Sequence, residues 1–183
     1  MRVVSGSARG VRLFAPKNLK TRPTSDFIKE SLFNIIRDDI FDCNFLDLFA
    51  GSGAIGIEAL SRGARYACFV DIAEYCDVFI RRNLKATRLM NKACILKMDA
   101  LIALKKLENI KKYDIIFVDP PYFSDLGFMN DILNTIIKYG ILRSEGYVIM
   151  EVASTSLYNF DNGFDIFRVK EYSSTKLLFL NVS

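Results

Sequence analysis

Two clusters in this 183-residue chain have residue types and spacing suited to chemistry. The first is Phe45-Leu46-Asp47-Leu48-Phe49-Ala50-Gly51-Ser52-Gly53-Ala54-Ile55-Gly56, an apolar strand entering Gly-x-Gly-x-x-Gly and then a helix, with Asp71 ending the next apolar run 20 residues past Gly51. Glycines there permit a tight turn and close backbone approach, and an acid at the second strand end can accept hydrogen bonds from ribose hydroxyls. An adenosine-containing cofactor is the expected ligand. Asp47, ahead of the glycines, decides between the two usual candidates: a carboxylate facing the loop repels a pyrophosphate but attracts the amino group of a methionine moiety, which favours S-adenosylmethionine over a nicotinamide dinucleotide. The expected cofactor set is Asp47, Phe49, Gly51, Gly53, Asp71, Ile72, Asp99 and Ala100. Asp99 follows the third strand and can receive the adenine amino group, or it can cap the helix that starts at Ala100.

The second cluster is Asp119-Pro120-Pro121-Tyr122, directly after the apolar run Asp114-Ile115-Ile116-Phe117-Val118. Two prolines stop the strand and fix the backbone, leaving one acid and one aromatic ring at the carboxyl edge of the sheet. The corner suits methylation of an exocyclic amine on a base. Such an amine is a poor nucleophile because its lone pair is delocalised into the ring. Asp119 and the Pro120 carbonyl can accept its two N–H bonds and localise the pair for in-line attack, while Tyr122 stacks on an extruded base. Asp119, Pro120, Pro121 and Tyr122 are the candidate catalytic residues, and the scheme needs neither metal nor histidine.

Elements that could position these residues are visible in the hydrophobic pattern. Strands are expected at Phe45–Phe49, Ala67–Val70, Ala93–Lys97, Asp114–Val118 and Tyr147–Val152, with helices near Gly53–Ser61, Glu74–Leu84, Ala100–Leu107 and Leu126–Tyr139. That alternation builds a parallel sheet covered by helices on both faces. Phe164–Val169 and Lys176–Val182 follow with only a turn between them, an antiparallel pair closing the sheet. Arg2–Val4 and Val11–Phe14 read as two short strands, and Ile28, Leu32, Ile35 and Ile36 mark one face of a helix capped by Ser25 or Asp26 that covers the edge or mouth of the sheet. One domain over 1–183 is expected, with residues 1–40 extending a core of 41–183.

Composition removes other chemistries. The chain has no histidine, which excludes Ser-His-Asp and Cys-His catalysis and His-ligated zinc. Its four cysteines, Cys43, Cys68, Cys76 and Cys94, form no Cys-x-x-Cys pair and read as small buried hydrophobes. No apolar run approaches the roughly 20 residues of a membrane span, and no secretory leader is visible, so a cytoplasmic location is expected. Residues 1–30 carry seven basic side chains against Asp26 and Glu30, a local balance of +5, while the other 153 residues stand at −1. A basic segment on a near-neutral body is suited to a polyanion; Arg2, Arg9, Arg12 and Arg22 are its candidate contacts. A second basic run, Arg81 to Lys97, reads as a solvated helix face.

The glycine loop and the Asp-Pro-Pro-Tyr corner resemble those of class I S-adenosylmethionine-dependent methyltransferases, the latter their amino-methylating branch. More narrowly, three groups of segments resemble the RsmD family: Met1-Arg2-Val3-Val4-Ser5-Gly6 with Arg9-Gly10; Arg22-Pro23-Thr24 with Lys29-Glu30-Ser31-Leu32-Phe33-Asn34; and Asp47 to Gly53 with Glu58-Ala59-Leu60-Ser61-Arg62-Gly63-Ala64. The resemblance extends to about Glu151. It implies a Rossmann-like, mostly parallel seven-stranded sheet with an antiparallel carboxyl-terminal pair, plus an amino-terminal β-hairpin and helix. It also implies methylation of the exocyclic N2 of a guanine in 16S ribosomal RNA, at position 966 of the standard numbering, by a monomer acting on a small-subunit particle without a metal. Val11, Lys29 and Asp71 depart from the family, which usually has a basic residue, an arginine and a glutamate there. A DNA adenine methyltransferase would need a recognition region for which the 65 residues between Gly53 and Asp119 leave no room. A protein-glutamine methyltransferase would carry Asn-Pro-Pro-Tyr, and a nicotinamide-dependent oxidoreductase or a silent RNA-binding module leaves the corner unexplained.

Overall fold

A computed structural model describes residues 1–15, 26–121, 125–155 and 163–183. The alternating pattern becomes strands β1 (Asn44–Asp47), β2 (Tyr66–Asp71), β3 (Ala93–Lys97), β4 (Tyr113–Val118) and β5 (Leu142–Ala153). Between them lie helices α2 (Ala54–Ser61), α3 (Glu74–Thr87), α4 (Ala100–Leu107) and α5 (Leu126–Lys138); α1 (Asp26–Ile35) precedes them, and β6 (Phe164–Glu171) and β7 (Thr175–Val182) follow. The sheet runs β3-β2-β1-β4-β5-β7-β6, with β7 antiparallel to both neighbours. Strand order reverses between β1 and β4, so the connections after them leave toward opposite faces and open a crevice at the carboxyl ends of these strands.

Alternation along the strands separates two cores. Phe45, Phe69, Ile115, Phe117, Ile149, Leu177 and Phe179 pack with Leu32 and Phe33 of α1, Ile57 and Leu60 of α2, and Ile80 and Leu84 of α3. Leu46, Cys68, Val70, Ile116, Val148 and Met150 face the other way, against Leu104 of α4 and Ile132, Leu133 and Ile136 of α5. Period-two burial on both faces is the signature of a sheet covered by two helix layers.

Several elements differ from the sequence expectation; α3 runs on to Thr87 and β6 to Glu171. β1 stops at Asp47 rather than Phe49, because the chain turns inward where the Ala50 N–H donates to the Val70 carbonyl at 2.9 Å. β5 begins at Leu142 rather than Tyr147; its polar Arg143-Ser144-Glu145-Gly146 stretch conceals a strand with a register shift against Tyr113 to Ile115. The amino-terminal hairpin reduces to one antiparallel bridge, Arg2 with Arg12, flanked by a 3.0 Å bond from Val3 N–H to the Val11 carbonyl. Ser25, one of the two expected helix caps, lies outside the described residues; Asp26 is the first residue of α1.

What holds this arm is a buried acid. Glu58, on α2 and 0% exposed, accepts the N–H groups of Val4 and Ser5 at 2.8 and 2.9 Å and the Arg62 Nε at 2.8 Å. Lys29 of α1, 1% exposed, places its Nζ 3.6 Å from the same carboxylate and donates to the Arg2 carbonyl at 2.5 Å. Lys29 therefore leaves the basic surface expected of residues 1–30. Gly6 completes the dock: a Cβ there would lie 1.8 Å from the Ser61 carbonyl oxygen, so no other residue permits this approach. Farther along, Asn83 of α3 donates to the Phe14 and Ser52 carbonyls at 2.8 and 2.9 Å and accepts the Phe14 N–H at 2.7 Å.

Removing one partner of a buried ion pair leaves the other uncompensated, at about 3–5 kcal/mol. Glu58→Ala should therefore lower the free energy of unfolding by that order in a urea titration, and Glu58→Gln, which retains acceptor and volume, by less. Equal stability of Glu58→Ala and the unaltered protein would remove the clamp from its structural role.

Candidate active site

At the reversal between β1 and β4 lies a cavity of about 2460 Å³, against roughly 300–1,000 Å³ for a pocket that encloses one small ligand. It has room for a second reactant beside a cofactor. Asp47, Phe49, Gly51, Asp71, Ile72, Asp99, Ala100, Asp119, Pro120 and Pro121, all expected from the sequence, line it together. Gly53 does not; it sits beneath the loop as the cap of α2, with φ of 80°. Tyr122 and Arg22 lie outside the described residues. Arg2, Arg9 and Arg12 are exposed on the arm, away from the cavity lining.

The glycine loop is shaped by its own neighbours. A Cβ on Gly56 would come within 2.4 Å of the Phe69 ring, so this glycine lets α2 pack directly on β2. Asp47 accepts the Gly56 N–H at 3.1 Å from beneath the loop. Asp71 accepts the Gly51 N–H at 2.8 Å with one oxygen and the Ala73 N–H at 2.9 Å with the other. The loop and the acid beyond the second strand are thus one hydrogen-bonded unit, with Asp71 aimed by two backbone donors. Asp99 caps α4, its Oδ1 accepting the Leu101 and Ile102 N–H groups at 2.9 and 3.2 Å while the residue also lines the cavity.

Carboxylates dominate the floor. Asp47, at the end of β1, and Asp119, just beyond β4, lie on adjacent strands, and Glu151 of β5 lines the same space. Burial pushes the Asp47 carboxyl up to about 7; the Gly56 N–H opposes the shift and the Asp71 charge adds to it. Burial also drives the Asp119 carboxyl well above the ordinary carboxylate range, reinforced by Glu151 and then Asp47. Such a site favours positive charge. Among the described residues no cluster of three His, Cys, Asp or Glu is placed to hold a metal ion.

Sequence reasoning missed Glu58, Asn83 and Glu151. Glu58 falls in the segment Glu58 to Ala64 that resembles the family, but nothing local marks it or Asn83 as an anchor, since the arm residues they hold lie 53 to 69 residues away. Glu151 sits within an apolar strand, and an acid so placed was the one available signal.

The fold and the site together define a class I S-adenosylmethionine-dependent methyltransferase. A family model described as conserved hypothetical protein 95 matches residues 1–181, and the chain belongs to that family, the RsmD family whose motifs it carries. It is 40% identical over 152 residues to YlbH of Bacillus subtilis, covering 82% of each chain. Against the Ribosomal RNA small subunit methyltransferase D of Escherichia coli strain K12 it is 34% identical over 151 residues, covering 82% of this chain and 74% of that one. The solved structure of Escherichia coli yhhF superimposes with a TM-score of 0.86 at 30% identity, over 100% of this chain and 98% of the other.

A carboxyl whose folded pKa is raised stabilises the fold fully below its unfolded value near 4 and loses that contribution as pH rises through the folded value. Asp119→Asn should therefore raise the melting temperature at about pH 8 and leave it nearly unchanged at about pH 4, by calorimetry at both. A larger gain at the acid end would contradict the assigned shift.

Proposed function

We propose that the protein transfers the methyl group of S-adenosylmethionine to the exocyclic N2 of a guanine in 16S ribosomal RNA, within a small-subunit particle, as a cytoplasmic monomer with no metal. The observation that carries the reading is the meeting of the glycine-loop unit and the Asp119-Pro120-Pro121 corner in one acidic cavity with space for a base beside the cofactor. The name of the Escherichia coli relative, a ribosomal RNA small subunit methyltransferase, supports the RNA class.

The buried acids fit a ligand carrying an ammonium and a sulfonium. In this reading Asp47 holds the amino group, Asp71 the ribose hydroxyls, and Asp99 the adenine edge beside its capping bonds. Phe49, Gly51, Gly53, Ile72 and Ala100 supply the remaining contacts and the loop geometry. When bound, S-adenosylmethionine supplies an electrophilic methyl group. Asp119 and the Pro120 carbonyl accept the two N–H bonds of the guanine amine, and Pro121 fixes their direction. Tyr122 offers the stacking face. Asp119 must be ionised to accept; positive charge entering the cavity lowers its pKa toward that state. The amine would take on the positive charge as it is methylated, and one of its N–H protons would pass to the ionised Asp119 that accepts it.

Residues 1–40 serve, in this reading, as the RNA-facing extension of a core of 41–183. The bridge places Arg2 opposite Arg12, a like-charge pair that costs stability unless an anion offsets it. A phosphate is the fitting anion, with Arg9 and Arg22 extending the contact.

Mass spectrometry of 16S ribosomal RNA from cells with and without the protein should show one N2-methylguanosine lost; an unchanged modification profile would reject the reading. Asp119→Asn should abolish transfer while calorimetry shows little change in S-adenosylmethionine affinity. Asp71→Ala should weaken that affinity by about 1.5–3 kcal/mol, the contribution of a hydrogen bond to a charged group; loss of cofactor binding in the former, or none in the latter, reverses the assignments. Neutralising Arg2, Arg9 and Arg12 together should flatten the slope of log affinity against log salt by about two to three, at about 0.7–0.9 per phosphate contact. An unchanged slope would make the arm an ordinary solvated surface.

A further inference from the structure

The cavity continues past the methyl-transfer corner into a groove that the cofactor and one base do not fill. One wall is α1, with Phe27, Glu30, Ser31 and Asn34; the other is the end of β6 and the turn to β7, from Arg168 through Thr175. Resting on the reading of the substrate as RNA, we infer that this second wall binds the strand flanking the target guanine. Arg168 and Lys170 meet its phosphates, and the Phe27–Tyr172 pair stacks a neighbouring base.

Strand β6 is an edge strand whose residues after Phe164 are all exposed. Its cations are sorted by the register. Ile166 pairs with Leu180 but Arg168 with Phe179, so Phe167 is an extra residue and the strand reverses its facing there. Beyond the bulge, Arg168 and Lys170 pair with Phe179 and Leu177, which belong to the α1-side core. Val169 and Glu171 have the opposite facing, yet both still border the cavity, Glu171 as an acid on the same wall as the two cations. Both cations thus lie on the groove side, with the Arg168 guanidinium 6.0 Å from the Phe179 ring centre. Asp165 has the same facing as the cations but sits at the far end of the strand, and Glu30 is the acid of the opposing wall.

The aromatic pair gives a second, independent observation. Phe27, in the first turn of α1, is 71% exposed, which core packing does not explain. Its ring meets that of Tyr172 edge-to-face, centroids 6.1 Å apart at 87°. The Tyr172 hydroxyl is in turn fixed by Ser31 Oγ at 2.7 Å. An exposed ring held rigid beside two cations is the arrangement that binds single-stranded nucleic acid: stacking on the base, charge on the backbone.

The test uses the full protein and small ribosomal subunits isolated from cells lacking it. Arg168→Gln with Lys170→Gln should raise KM for the subunits by about tenfold at near-normal kcat and flatten the salt slope by about 1.4–1.8, two phosphate contacts. Phe27→Ala should lower kcat/KM by about 5–150-fold, and Phe27→Leu, apolar but not flat, should fail to restore it. The S-adenosylmethionine dissociation constant should stay within about twofold in every variant. Ultraviolet cross-linking of the unaltered protein to the subunits should yield nucleotide adducts on peptides containing Phe27 or Arg168 to Tyr172. Normal kinetics in the variants, or cross-links from this wall to ribosomal proteins alone, would overturn the inference while leaving methyl transfer intact. Failure of the unaltered protein to methylate the subunits would instead overturn the reading on which it rests.

Discussion

Much of the molecule's organisation depends on one carboxylate, that of Glu58. It is fully buried, and its ligands come from the amino-terminal arm, from Lys29 of α1 and from its own helix. An ionised acid is retained in such a place only if its lone pairs and charge are met by donors, and here they are met by the segments that must be held in place. Because α2 also begins at the glycine loop, the arm and the cofactor loop are fastened to the same helix. Asn83 repeats the connection from α3, joining the Phe14 backbone to the Ser52 carbonyl of the loop. The basic arm and the cofactor loop are therefore parts of one rigid body.

The active site is assembled on the opposite electrostatic principle. Where Glu58 is satisfied internally, Asp47, Asp119 and Glu151 gather at the carboxyl edge; burial raises the Asp47 pKa with the Asp71 charge adding to it, and burial with the Glu151 and Asp47 charges raises that of Asp119. The cost is carried by the fold and is relieved by a cationic ligand, so the site is better matched to its loaded state than to its free one. Asp71 is held in another way. Two backbone N–H groups fix it before any ligand arrives.

The residues that line the cavity were legible in the sequence because they are marked by local signals. A glycine triplet between strand and helix, an acid 20 residues on and a double proline after a strand each specify backbone geometry within a few residues. The parallel order and the antiparallel closing pair followed from the alternation of periods. The sequence did not disclose which charges are surface charges: Lys29 and Glu58 look solvated until tertiary pairing buries both. Nor did it disclose β5 at full length, since Arg143 to Glu145 interrupt its apolar run, or the bulge at Phe167 that turns Arg168 and Lys170 to one side. These are properties of long-range pairing and register, which residue type alone does not encode.

The anchoring of the arm also sets an order of events in the making of the protein. Val4 and Ser5 leave the ribosome before their hydrogen-bond partner on α2, which lies 53 to 54 residues later, and Phe14 before the Asn83 that receives it, 69 residues later. This segment is thus synthesised well before it can be placed, and until α2 and α3 exist it lacks the docking surface they provide. Closing loops of this length costs chain entropy before any contact repays it. During that interval the nascent chain exposes this basic segment, whose encounters are governed by charge rather than by shape.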